Sequence, residues 1–241
     1  MINKYTFEEF IKNEKSMSYE ECNSFWEKAE SKVHADTSDE LMKEISEHIA
    51  ERMELNKEDI LLVIGGGGGY IDRFLISKVK KLIAIDFSGQ KIIDAKKRNP
   101  EGEYYRQDFL KEYDYLKKYK INKIYSYSVM QYCKPEDFSI FIKNQLSVLD
   151  ENKSCLIGHL DVPDVDKAMF YYDKICVDAT EEKVKKYRDK IKYLIGDGSC
   201  WHNMDKIKNI LDNIASISEV EIKNAHYWKF RSDIIFRVNY V

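Results

Sequence analysis

The chain has 241 residues, 44% hydrophobic and 34% charged, with a formal net charge of -3 at pH 7. That length and apolar content suffice for one domain with a full core, with or without an insertion, and the slightly acidic balance excludes a globally basic nucleic-acid-binding surface. The five cysteines, Cys22, Cys133, Cys155, Cys176 and Cys200, are odd in number and widely spaced, which argues for reduced thiols and against a disulfide framework or a metal cluster.

The first residues, MINKYTFEEFIKNEK, contain no apolar targeting region, and no run of ~18 apolar residues follows, so a cytoplasmic protein without a membrane span is expected. Residues 1–57 are predicted to be helical. Phe25, Trp26 and Ala29 mark a weakly amphipathic helix, and Leu41, Ile45, Ile49 and Met53 recur at helix spacing after a cap at Thr37 with Glu40, ending near Leu55. From Ile60 the period changes. The short apolar runs ILLVI, LIAID, KIYSYSV and SCLIGHL, with a weaker strand around Tyr104, alternate with helical stretches after Gly69, Ser88 and Pro135, which predicts a parallel α/β sheet over 58–161. Residues 162–203, rich in Tyr and Phe, read as a helical cap insertion. Residues 204–241 read as a helix and an antiparallel hairpin formed by Ser218 to Lys223 and Asp233 to Val241.

LLVIGGGGGY runs an apolar strand straight into five glycines and then a helix. Glycine lacks a Cβ, so a ribose or phosphate can lie against this backbone at a helix N-terminus. A dinucleotide fingerprint, G-x-G-x-x-G, would need its third glycine at Tyr70 or Ile71, whereas Gly65, Gly67 and Gly69 satisfy G-x-G-x-G. Asp86 ends the next strand, where a carboxylate can accept both ribose hydroxyls. With YYRQDFL and INKIYSYSVMQYC following in order, the chain resembles the class I S-adenosylmethionine-dependent methyltransferases, in particular bacterial enzymes acting on small molecules such as surface-sugar precursors.

That resemblance implies a Rossmann-like α/β fold with a seven-stranded, mostly parallel sheet, helices on both faces and an antiparallel C-terminal hairpin. It implies S-adenosylmethionine as cofactor, with Asp86 on the ribose, Phe87 and Phe109 against the adenine, and Asp108 on the adenine amino group. Tyr127 and Ser128 would end the fourth strand, with Gln131 and Tyr132 on the cofactor and acceptor side. Trp26 is a further cofactor candidate, although core packing is its more ordinary role. The family acid two residues before the first glycine is replaced by Val63, which leaves the methionine end of the cofactor without its usual contact.

The expected acceptor is a small molecule, methylated on a hydroxyl of a sugar, nucleotide or phosphorylated metabolite, with no nucleic-acid or membrane partner; a homodimer is compatible with the sequence. His159, at the expected C-terminal end of the fifth strand, is the first candidate for the base, with His202 second and Tyr132 beside the acceptor. Asp161, Asp164 and Asp166 read as solvated loop acids. A non-catalytic cofactor-binding regulator and an NAD(P)-dependent reductase are the alternatives.

Overall fold

The computed structural model describes residues 38–167 and 201–240. Helix α1, Asp39–Arg52, is capped by Ser38, whose hydroxyl accepts the Leu41 N–H at 3.2 Å. The cap thus falls one residue after the expected Thr37, and the helix stops three residues before Leu55. Its apolar stripe, Met42, Ile45 and Ile49, is buried. The sheet strands are β1 (Ile60–Ile64), β2 (Lys81–Asp86), β3 (Glu103–Arg106), β4 (Lys123–Tyr127), β5 (Cys155–Pro163), β6 (Ile217–Asn224) and β7 (Arg231–Val238). They lie in the order β3-β2-β1-β4-β5-β7-β6. Neighbours from β3 to β5 pair parallel, while β7 pairs antiparallel with both β5 and β6.

Strand parity divides the core in two. Leu61 and Val63 of β1 face α1 and the helix α3 (Gly89–Arg98), whereas Leu62 and Ile64 face the helices α4 (Phe138–Leu146) and α5 (Met204–Asp212). The short helix α2, Asp72–Leu75, follows the glycine turn. Ser88 caps α3 as expected, accepting the Lys91 N–H at 3.3 Å, and Pro135 opens the turn into α4. The sheet is therefore the mixed, doubly covered one that the sequence predicts, with its C-terminal hairpin in place.

One further boundary differs. β5 continues to Pro163, so Val162 and Pro163, assigned to a cap, are strand residues. The rest of that insertion from 168 to 200, and the segment holding Trp26, fall outside the described residues. Among the described residues no helix is long and apolar enough to cross a membrane.

Candidate functional site

In open parallel sheets ligands bind beyond the carboxyl ends of the strands, where the strand order reverses. Here β1 begins the chain order and lies between β2 and β4. A cavity of about 400 Å³ opens there, walled by the chain at and after the ends of β1, β2 and β4, by Asp161 of β5, by the β6–β7 turn and the start of β7, and by Leu41, Met42 and Ile45 of α1.

Its floor is the glycine turn. Gly65, Gly67 and Gly69 adopt φ of 70°, 54° and 72°, the left-handed region that L side chains enter at a cost. Each serves a different need. A Cβ on Gly65 would overlap the Val129 methyl groups, and one on Gly69 would crowd Asn99 and Ala95 of the α3 end. A Cβ on Gly67 would meet no protein atom within 4 Å, and Gly67 lines the cavity. The turn is clamped from behind, because Asn99 Nδ2 donates to the Gly69 carbonyl at 2.8 Å and Arg98 donates to the Gly68 carbonyl while stacking 3.7 Å from the Tyr70 ring centre. Gly69 thus shapes the turn without lining the cavity.

Asp86 lies at the cavity edge with each carboxylate oxygen holding one backbone N–H, from Gly67 and from Ser88, both at 2.9 Å. Burial pushes its pKa up, and those two N–H groups and Lys91 oppose the shift. A carboxylate offers about four lone-pair sites, so this one is oriented by the protein with acceptor capacity to spare. Phe87, Phe109, Tyr127, Ser128, Gln131 and Tyr132 also line the cavity.

Four expectations need correction. His159 is mid-strand rather than at the strand end, fully buried, and packed among Phe138, Phe141 and Phe236 on the face away from α1. Its Nδ1 lies 2.9 Å from Ser126 Oγ, and burial pushes its pKa down to about 3, so it is a neutral core residue that does not line the cavity. His202 is also buried, with Nε2 held 2.9 Å from the Met130 carbonyl. Asp108 does not line the cavity; its Oδ1 accepts the Leu110 N–H at 2.9 Å and stabilises the local turn. Asp161 and Asp164 are not solvated, each being only 3% exposed.

Several cavity residues carried no sequence motif. Arg231 at the start of β7 donates through Nη1 to the Asp161 carboxylate at 3.0 Å and carbonyl at 2.7 Å, and through Nη2 to Gln131 Oε1 at 2.8 Å. Tyr227 and Trp228, from the β6–β7 turn, line the cavity together with α1. Val63 is a core residue, but a different acid lies near its place. Asp72 Oδ2 would be 3.3 Å from a Cβ on Gly66 and has no partner among the described residues, and burial pushes the Asp72 pKa up to about 7. Only the fold could have brought these residues together, since they are separated by long stretches of chain.

No protein-family model and no curated protein sequence matches the chain. Solved structures do. DhpI in complex with SAH aligns over 92% of this chain and 97% of its own, with a TM-score of 0.61 and 13% identity. The plantazolicin methyltransferase BamL, in complex with a triazolic desmethylPZN analog and SAH, aligns over 91% and 94%, with a TM-score of 0.57 and 13% identity. Magnesium protoporphyrin IX methyltransferase (ChlM) from Synechocystis PCC 6803, with bound SAH, aligns over 83% and 82%, with a TM-score of 0.52 and 15% identity. The chain has the fold of the class I S-adenosylmethionine-dependent methyltransferases.

Proposed function

We propose that this protein is an S-adenosylmethionine-dependent methyltransferase that methylates a hydroxyl of a small molecule. The observation that carries the reading is the pairing of Gly67, left-handed and open to the cavity, with the Asp86 carboxylate 2.9 Å from its N–H. An adenosine needs both a bare backbone to lie against and an oriented acceptor for its ribose diol. Phe87 and Phe109 give the adenine apolar walls, and Tyr127, Ser128 and Gln131 bound the methionine end. The similar structures hold SAH, and one is named for methylation of magnesium protoporphyrin IX, a small molecule, which supports a small-molecule acceptor here.

When bound, S-adenosylmethionine supplies a methyl group already activated on a sulfonium. The protein's own task is alignment for in-line displacement and removal of a hydroxyl proton. Tyr132 and Gln131, in and beside the turn after β4, bound the space in which the acceptor would sit, and α1 with Tyr227 and Trp228 screens it from water. Calorimetric titration with S-adenosylmethionine and, separately, NADH tests the donor. Binding of the former alone is expected, and heat from NADH alone would sink the reading. A methyl-donor assay over nucleotide sugars, phosphorylated metabolites and simple phenols then tests the acceptor; cofactor binding without turnover on any of them would favour a regulator.

A further inference from the structure

The cavity contains a carboxylate, Asp161, that neither the fold nor the cofactor reading accounts for. Asp161, within β5, and Ser128, just past the end of the paired β4, adopt left-handed conformations, φ 59° and 55°, uncommon for residues other than glycine. A break in register between His159 and Val162, opposite β7, delivers Asp161 to the cavity, as bulges beside sites do. Every other polar group of the residue is fixed. Its N–H donates to Asp233 Oδ1 at 2.9 Å, its carbonyl accepts from Arg231, and Oδ2 accepts from both Ser128 Oγ and Arg231 Nη1. Oδ1 is buried and has no partner among the described residues. A native structure seldom leaves a buried carboxylate oxygen bare without a reason.

Position separates this acid from the cofactor acid. Asp86 ends β2 and Asp161 lies on β5, three strand spacings away in the sheet order, or ~14 Å. Asp161 is therefore at the far end from the ribose of a cavity that Tyr132, Tyr227 and Trp228 also line. The adjacent Arg231 guanidinium repels a cationic amine, and burial pushes the Asp161 pKa up, which suits a proton acceptor, while Arg231 and the Ser128 hydroxyl oppose the shift.

We propose that Asp161 accepts the hydrogen bond, and then the proton, of an uncharged hydroxyl acceptor carried on a flat aromatic body. This rests on the methyltransferase reading. In the step, the acceptor oxygen forms a bond to the methyl carbon of the sulfonium donor, the carbon–sulfur bond breaks with its pair remaining on sulfur, and the hydroxyl proton passes to the Asp161 carboxylate. Charge balances, since a sulfonium and a carboxylate become a thioether and a carboxylic acid.

Binding to the SAH-loaded protein tests this without turnover. Phenol and its methyl ether anisole are titrated by NMR into wild type and Asp161→Asn, each saturated with SAH. Wild type should favour phenol by about ten-fold, the worth of a hydrogen bond to a charged acceptor. Asp161→Asn, which keeps the side-chain volume, should bring the two ligands to near equality while SAH affinity stays within about two-fold, the carboxylate being remote from the ribose. The wild-type comparison stands even if the variant does not fold. Failure of wild type to bind SAH would overturn the methyltransferase reading. SAH binding with phenol no better than anisole, or a phenol preference that survives in Asp161→Asn, would overturn the assignment of Asp161 alone.

Discussion

Substituting single glycines separates steric fit from cofactor contact in the turn after β1. Gly65→Ala drives a methyl into Val129 at φ 70°, whereas Gly67→Ala adds one to open space at φ 54°. Both carry a left-handed penalty of about 1–2 kcal/mol, but only the first also displaces core, so Gly65→Ala should lower the urea midpoint further, while Gly67→Ala folds well and loses SAH affinity by calorimetry. The reverse ranking would mean that Gly67, not Gly65, is the packing position. A second residue-scale test concerns two buried titratable groups that act in opposite directions. His159 is held at about 3 against an ordinary 6.5, so between those values the unfolded chain binds a proton the native state refuses, and stability falls as pH falls. Asp72 is held at about 7 against 3.8, so the native state keeps a proton the unfolded chain releases, and stability falls as pH rises through that window. Each is worth roughly 4 kcal/mol at full extent, and in wild type they offset between about pH 4 and 6.5. His159→Leu should expose the Asp72 slope, with urea midpoints falling from pH 4 to 7, and Asp72→Asn should expose the opposite slope; parallel profiles in all three proteins would refute both assignments. Catalytic roles were poorly legible at this scale. His159 stands one residue from Gly158 and Leu160, and parity alone puts it on the opposite face, but the length of β5, which decides whether it is mid-strand or terminal, was hidden because the bulge and Asp161 look like loop sequence.

Helix α1 owes its position to contacts between elements that are far apart in the chain. His48 Nε2 lies 3.1 Å from Asp233 Oδ2, and Arg52 lies 2.8 Å from Glu221 on β6 and 3.8 Å from Asp233 on β7. His48 also stacks on His226 with ring centres 4.7 Å apart, and Lys123 of β4 donates to the Met53 carbonyl at 2.9 Å. The helix therefore closes one wall of the cavity from the hairpin side, and the same Asp233 holds the Asp161 N–H. Replacing His48 and Arg52 together by Ala should detach this wall. Amide exchange across α1 should quicken by about ten-fold while β1 and β4 keep their protection, and SAH should bind more weakly. Unchanged exchange in α1 would mean that its apolar stripe alone holds it. The helix itself was legible from its 3.6-residue period and its capping residues, within one residue at the start. Its partners were not, because an exposed-looking His or Arg on a helix carries no sequence mark of the carboxylate it will meet.

For the whole molecule, the alternation of apolar runs with helices was enough to predict a parallel α/β sheet, and the glycine spacing carried the resemblance that implied its seven strands and C-terminal hairpin. The end of the cavity that we propose holds the acceptor was legible only at Gln131 and Tyr132, for a physical reason: Asp161, Arg231 and Tyr227 converge on it from β5, β7 and the hairpin turn, and no local pattern encodes such a meeting. The cofactor end makes the stronger prediction about the molecule as a unit. Its contacts come from β1, β2, β4 and α1 together, so a ligand there binds only the assembled native state and must stabilise it by mass action. At a free SAH concentration 100 times its dissociation constant the stabilisation is about 2.7 kcal/mol, which for a chain of this size raises the melting temperature by roughly 5–10 °C. The rise should continue with the logarithm of SAH concentration rather than saturate once the site is full, because each further increment still disfavours the ligand-free unfolded chain. NADH at matched concentrations should leave the transition in place, since the dinucleotide fingerprint would need its third glycine, for close helix–strand packing, where Tyr70 or Ile71 stands. Asp86→Ala should abolish the SAH-dependent rise, whereas Asp108→Ala, whose carboxylate accepts the Leu110 N–H of its own turn, should melt lower yet respond to SAH as wild type does. A melting curve for Asp108→Ala that ignores SAH would return that residue to the adenine site.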